Sequence, residues 1–216
     1  MISKIPRDGS TIDIQTLFFQ LTLDSATEFL FGQSINSLLS SEDSDQLRFG
    51  QAFDAAQVSI GKGNNFGAIG RYFSNDDFRK NCKTVHDFVD KIVDKVLKEV
   101  DPMDSEKNVS VNGGRYVFLT ETAKVTRNPK QLRDESLNIL LAGRDTTASL
   151  LSHTFHVLAR RPDIWKKLQL EIDDLNGKKP DYETIKQMKY LKYLLTECRW
   201  LLHPSHIFAC LSRITY

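Results

Sequence analysis

The run Leu137-Asn138-Ile139-Leu140-Leu141-Ala142-Gly143-Arg144-Asp145-Thr146-Thr147-Ala148-Ser149-Leu150-Leu151 decides how the rest of the chain is read. It has the pattern of the middle of one long helix. Upstream, Asn128 is a good N-cap and Pro129 suits the first helical position, where a missing N–H costs nothing. No other proline intervenes before Pro162. The helix can therefore run for about 33 residues, roughly 50 Å at 1.5 Å per residue, long enough to cross a whole domain.

Its centre conflicts with its apolar flanks. Gly143 costs about 1 kcal/mol relative to alanine in a helix interior, and Asp145, Thr146 and Thr147 are mediocre helix formers. Local conflicts of this kind gather at functional sites. On a 3.6-residue period Thr146 shares a face with Ala142 and Gly143, one turn back. Those small residues leave room for a flat or diatomic ligand to approach the backbone. The Thr146 hydroxyl can also donate to the Ala142 carbonyl, which would loosen the helix locally. An acid beside a hydroxyl at such a groove is one way to build a proton relay. A helix crossing packed through small residues, with Asp145 solvated or ion-paired, explains the same spacing.

Around this helix the chain reads as all-α. Apolar residues recur at helical spacing from Ile12 through Leu17, Leu21 and Ala26 to Leu30, and Gly32 ends that run. A second helix is expected over Gln46 to Ile60, then a glycine-rich connection from Gly61 to Gly70. That connection lacks the G-x-x-x-x-G-K-S/T order and the preceding strand of a phosphate-binding loop. A strongly helical run follows from Phe78 to Val100, with Val85, Phe88, Ile92 and Val96 as its apolar stripe. A short helix over Tyr116 to Val125 leads into the central one. Beyond Pro162 come a helix from Asp163 to about Leu175, a turn at Asn176-Gly177, a short helix after Pro180-Asp181 and a last helix over Leu191 to Leu202. No segment shows useful strand alternation, and no repeat or linker divides the chain, so residues 1–216 are expected to form a single helical domain.

Composition excludes several classes of function. The chain has 216 residues, 40% hydrophobic and 26% charged, with a net charge of +1. That balance gives no electrostatic case for nucleic acid or an anionic membrane surface. Cys82, Cys198 and Cys210 are an odd count without metal-ligand spacing, which favours free thiols in a reducing compartment. No stretch approaches the ~18 consecutive apolar residues of a spanning helix, so no membrane anchor is expected within the chain.

The hexapeptide Ala142-Gly143-Arg144-Asp145-Thr146-Thr147 resembles the central-helix signature of the cytochrome P450 (haem-thiolate monooxygenase) family. The continuation from Phe155 to Gln169 is similar to that family's next helix, and Phe18 to Gly32 to an earlier one. The wording is closest to the fungal alkane and fatty-acid hydroxylase branch, over about residues 12–205. The resemblance implies the central helical part of that fold, without most of its sheet. It implies haem as cofactor, O2 and an apolar small molecule as substrates, and an NADPH-cytochrome P450 reductase as electron donor. The complete family member would sit on the cytosolic face of the endoplasmic reticulum membrane. By the same resemblance Thr146 would hydrogen-bond the oxygen being activated and Asp145 would feed protons inward. Ala142, Gly143 and Thr147 would line the cofactor side. The second and third helices with their loop would form a lid, making Phe49, Phe53, Phe66 and Phe73 candidates for an apolar tunnel.

The pattern departs from the family in two places. An E-x-x-R pair braces the haem side there; here Glu197 takes the first position as a structural residue, but Trp200 stands where the arginine belongs and Arg199 comes one residue early. Residues two apart on a helix do not face each other. The iron-binding cysteine loop, F-x-x-G-x-R-x-C-x-G, is also not found, so no metal ligand is expected in the chain. These departures keep a second expectation open: a fragment that is a non-catalytic truncated helical protein, or an interaction module.

Overall fold

The computed structural model describes residues 1, 4–6, 8–39, 44–65, 76–100 and 117–201. Eight helices are found among them: α1 (Ile14–Phe31), α2 (Asp45–Asn65), α3 (Asp76–Glu99), α4 (Phe118–Val125), α5 (Pro129–Arg160), α6 (Pro162–Asp173), α7 (Tyr182–Gln187) and α8 (Lys189–Leu201). No strand occurs among the described residues. The chain is all-α, as its periodicity indicates. It divides into two compact units, 1–12 with 19–145 and 13–18 with 146–216. The division falls inside α5, between Asp145 and Thr146.

In the first unit, α2 packs along α3 through a ladder of rings. Phe49 stacks on Phe88 at 4.5 Å and on Phe53 at 6.0 Å between centroids. Both phenylalanines of α2 are buried in the main apolar core. They are core residues as well as tunnel candidates; Phe66 and Phe73, the other two candidates, lie outside the described residues. The buried stripe of α3 keeps Val85 and Val96 of the expected one and adds Val89 and Val93. Val85, Val89, Val93 and Val96 are its buried residues, while Phe88 and Ile92 pack at the margin. Five residues thought to begin a glycine-rich connection, Gly61 to Asn65, continue α2 instead.

The chain reversal after α1 is held by side chains. Gly32, at φ +73°, takes the left-handed conformation that ends the helix. A Cβ there would also lie 3.0 Å from Val117 Cγ2, so the position has neither the conformational freedom nor the space for another residue. Buried Thr27 donates to the Leu23 carbonyl at 2.9 Å and accepts from the Ile35 N–H at 3.3 Å. The Asp24 carboxylate accepts from the N–H of Ser37 and of Leu38. Arg127 donates to the Val100 carbonyl at 2.7 Å, a cation at the carbonyl end of α3, where the helix dipole favours one.

In the second unit α6 packs on α8 around Leu158, Leu168, Leu194 and Cys198. The Glu171 carboxylate of α6 accepts from the backbone N–H of Tyr190 at 2.9 Å and Leu191 at 2.8 Å. Those are first-turn amides of α8, and the acid satisfies two of the donors that every helix start leaves open. Glu171→Ala is expected to lower the unfolding free energy by about 1–2 kcal/mol, read from urea denaturation of the chain. A loss under ~0.3 kcal/mol would mean that the cap contributes no more than a screened surface charge.

Candidate active site

α5 begins as its sequence dictates. The Asn128 Oδ1 accepts from the N–H of Lys130 at 3.1 Å and of Gln131 at 3.3 Å, and Pro129 is the first helical residue. The helix then runs 32 residues without interruption. It stays α-helical through Ala142 to Thr147, so the glycine and the two threonines do not open a bulge there.

Side chains along this segment divide sharply by face. Ala142, Gly143, Thr146 and Thr147 are exposed. A Cβ added at Gly143 would meet nothing within 4 Å. The backbone on this side is therefore bare, and a planar group can come close to it. On the opposite side Leu140 and Ala148 are fully buried. The three positions expected to line the cofactor side, Ala142, Gly143 and Thr147, are thus all exposed on α5, and so is Thr146.

Asp145 is turned towards the other side. Its side chain is 18% exposed, and its Oδ1 lies 3.3 Å from Arg144 Nη1. Burial holds its carboxyl above the ordinary range; the Arg144 charge opposes that rise and the nearby Asp54 charge adds to it. Upward-shifted acids are suited to passing protons, because the neutral and ionised forms come closer in energy.

Arg144 is the residue that sequence reasoning missed. It is only 4% exposed and pairs with Asp54 on α2. A variable position inside a signature reads as solvated surface, and Asp54 is too far away in sequence to suggest the pairing. Glu197 is exposed on α8, as is Arg199, and no ion pair joins them among the described residues.

The chemistry of the donor set separates the approach of a haem from its ligation. The bare side of α5 fits a flat macrocycle. No cluster of three or more His, Cys, Asp or Glu among the described residues could hold a metal ion. A ligating cysteine must be a thiolate, stabilised by nearby positive charge. Cys198 is 1% exposed within an apolar cluster, and burial pushes the Cys82 thiol up, which keeps it protonated. Cys210 lies outside the described residues. No described helix is long and apolar enough to cross a membrane.

Comparison with known proteins places the chain in a family. The Cytochrome P450 family model matches residues 2–205. Cytochrome P450 52A13 of Debaryomyces hansenii is 47% identical over 213 residues, covering 92% of this chain and 40% of that protein. Cytochrome P450 52A9 of Candida maltosa is 42% identical over 210 residues, covering 90% of this chain and 39% of its own length. The chain thus spans about two fifths of the relatives it matches. The crystal structure of the cytochrome P450DA heme domain superposes with a TM-score of 0.69 at 19% identity, over 88% of this chain and 40% of that one; at that identity the likeness concerns the fold. An all-α chain matched across nearly its whole length by one family model is a member of the cytochrome P450 family.

Proposed function

We propose that this chain provides the oxygen-side helix and the surrounding helical body of a haem-dependent monooxygenase that hydroxylates apolar substrates, fatty acids or n-alkanes, with O2 and electrons from an NADPH-cytochrome P450 reductase. The observation that carries the reading is the partition of α5: a bare small-residue side at Ala142 and Gly143, with Asp145 and Thr146 following on the same helix. Relatives of the 52A type support the substrate class through the branch they resemble. The complete protein is assigned to the cytosolic face of the endoplasmic reticulum membrane.

When bound, haem supplies the activation of O2 for insertion into a C–H bond. The protein's own residues contribute shape and protons. Ala142 and Gly143 keep the helix surface low, and Thr147 extends the same side. Thr146 holds a proton at its Oγ1 for the reacting oxygen side. Asp145, whose carboxyl lies beside Arg144, exchanges protons through its carboxyl oxygens and would resupply Thr146 only through intervening water. The iron's thiolate is assigned to none of Cys82, Cys198 and Cys210. Glu197 is assigned a structural role on α8.

Thr146→Ala in the complete haem-loaded protein tests the reading. Electrons are expected to be consumed at a near-normal rate while product per electron falls about 10²-fold, the lower end of what a positioned proton donor contributes. The measurement is NADPH consumed against hydroxylated product. Unchanged coupling would remove Thr146 from the relay.

A further inference from the structure

The group in the first unit with no assigned role is the guanidinium of Arg144. A buried cation persists only with partners, and this one has them on both sides. Its Nη2 forms an ion pair with Asp54 Oδ1 of α2. Its Nη1 donates to Asp145 Oδ1 at 3.3 Å. The plane lies over two rings, 5.1 Å from the centroid of Phe19 and 5.5 Å from that of Phe53, within the range of cation–π attraction. The Nε is buried without a hydrogen-bond partner among the described residues, so the two terminal nitrogens carry the pairing.

This arrangement is more specific than packing requires. Adjacent residues on a helix do not face each other. Asp145 reaches Arg144 only with its carboxylate laid along the helix surface, which fixes its side-chain torsions. Arginine offers its donors in a rigid planar fork. Once Asp54 and the rings of Phe19 and Phe53 have set that plane, the direction of the Nη1 donor is set as well.

We propose that Arg144, anchored by Asp54, is a positioning residue for Asp145, fixing the orientation of its carboxylate and tying the acid of α5 to α2. The use made of that acid rests on the monooxygenase reading; the positioning itself does not. Among the described residues, the ionisable groups acting on Asp145 are Arg144 on its own helix and Asp54 from α2. Burial raises both carboxyls and Arg144 lowers each of them, while the charge of Asp54 raises Asp145 further. The charge state of Asp145 therefore depends on what α2 presents to the guanidinium.

The test is a carbon-13 titration of the aspartate carboxyls in the full chain, with Asp145 assigned by its loss in Asp145→Asn. Two interacting carboxyls titrate as a pair, so both signals are followed. Circular dichroism establishes that each variant is folded. Asp54→Asn removes a like charge, which by itself lowers the Asp145 midpoint, and frees the guanidinium from its anchor, which raises it; because the Arg144 charge acts on Asp145 more strongly than the Asp54 charge does, the midpoint is expected to move to higher pH. Arg144→Gln is expected to move it to higher pH, and Arg144→Lys to restore it in part, which a role in packing alone would not do. An Asp145 midpoint that stays put in the folded variants overturns the proposal. A shift in Arg144→Gln without one in Asp54→Asn overturns the tie to α2. If Arg144→Gln does not fold, Asp54→Asn, at a half-exposed side chain, decides alone: an upward shift supports the proposal, and a downward shift or none overturns it. Failure of the functional reading looks different. In the complete haem protein Asp145→Asn would then stay fully coupled, even with a titration that follows Arg144.

Discussion

Phe49→Ala is expected to lower the unfolding free energy of the chain by about 3–5 kcal/mol, the range for deleting a fully buried aromatic ring. The size follows from where the ring sits. Phe49 is 0% exposed, and it is stacked on Phe88 of α3 at 4.5 Å and on Phe53 at 6.0 Å. Truncation removes the transfer energy of the ring and its two aromatic contacts, then leaves a cavity that two stiff helices close only in part. Against a total stability of about 5–15 kcal/mol for an ordinary domain, this is enough to unfold much of the population at physiological temperature. Urea denaturation with the slope held common to both proteins is the measurement. Phe49→Leu is a useful second variant, because it keeps an apolar side chain and should recover half or more of the loss. The experiment also decides between two readings of the α2 aromatics. A ring lining a substrate channel contacts its neighbours on one side only, so removing it would cost about 1 kcal/mol or less. A loss that small would return Phe49 to the channel wall.

The same residue illustrates what the sequence could and could not convey. Periodicity and punctuation located the long helix well: Asn128 and Pro129 mark its start, Pro162 follows its end, and the observed span is Pro129–Arg160. These are local signals, fixed by backbone chemistry within a few residues. Which face of a helix is buried is not local. On α3 the valines at 85, 89 and 93 and the pair Phe88 and Ile92 form adjacent stripes, and the sequence alone does not say which of them meets α2. The valines are the fully buried stripe, while half-buried Phe88 meets α2 through Phe49. Gly61 and Gly63 read as helix breakers, yet α2 continues past both, a case of context overriding propensity. On the site helix, the small residues and the Asp145-Thr146 pair were legible because their spacing alone puts them on defined faces. Arg144 was not. Its burial depends on Asp54, Phe53 and Phe19, residues of α2 and α1 that no pattern within α5 can announce.

Asp145→Asn in the complete haem-loaded protein is expected to reduce hydroxylation by about 10²-fold, the lower end of what a positioned acid contributes, without loss of stability at neutral pH. The amide has the shape of the carboxyl and keeps an oxygen to accept from Arg144, but it cannot exchange a proton. The two halves of the expectation come from one physical cause. Burial raises the folded-state value of Asp145 above its ordinary one, so the folded protein binds that proton more tightly than the unfolded chain does. Its contribution to stability is then present below the unfolded value and is lost as pH rises through the folded one. At neutral pH the ionised carboxylate is a charge held out of water, offset by Arg144 and made worse by Asp54. A neutral isostere removes this cost, and the slope of stability against pH that goes with it. Activity shows the opposite dependence on the group. A relay acid works through its protonated form, so the wild-type rate should fall as pH rises through the Asp145 value, and the variant's low residual rate should lack that limb. Rates and melting temperatures measured on the two proteins across the same pH series would separate the roles. A variant that is less stable and still has the wild-type pH limb would make Asp145 a structural partner of Arg144 and place the proton source elsewhere. A stable variant that has lost both the rate and the limb would put proton delivery at this carboxyl, because a purely structural partner of Arg144 would not carry the pH dependence away with it.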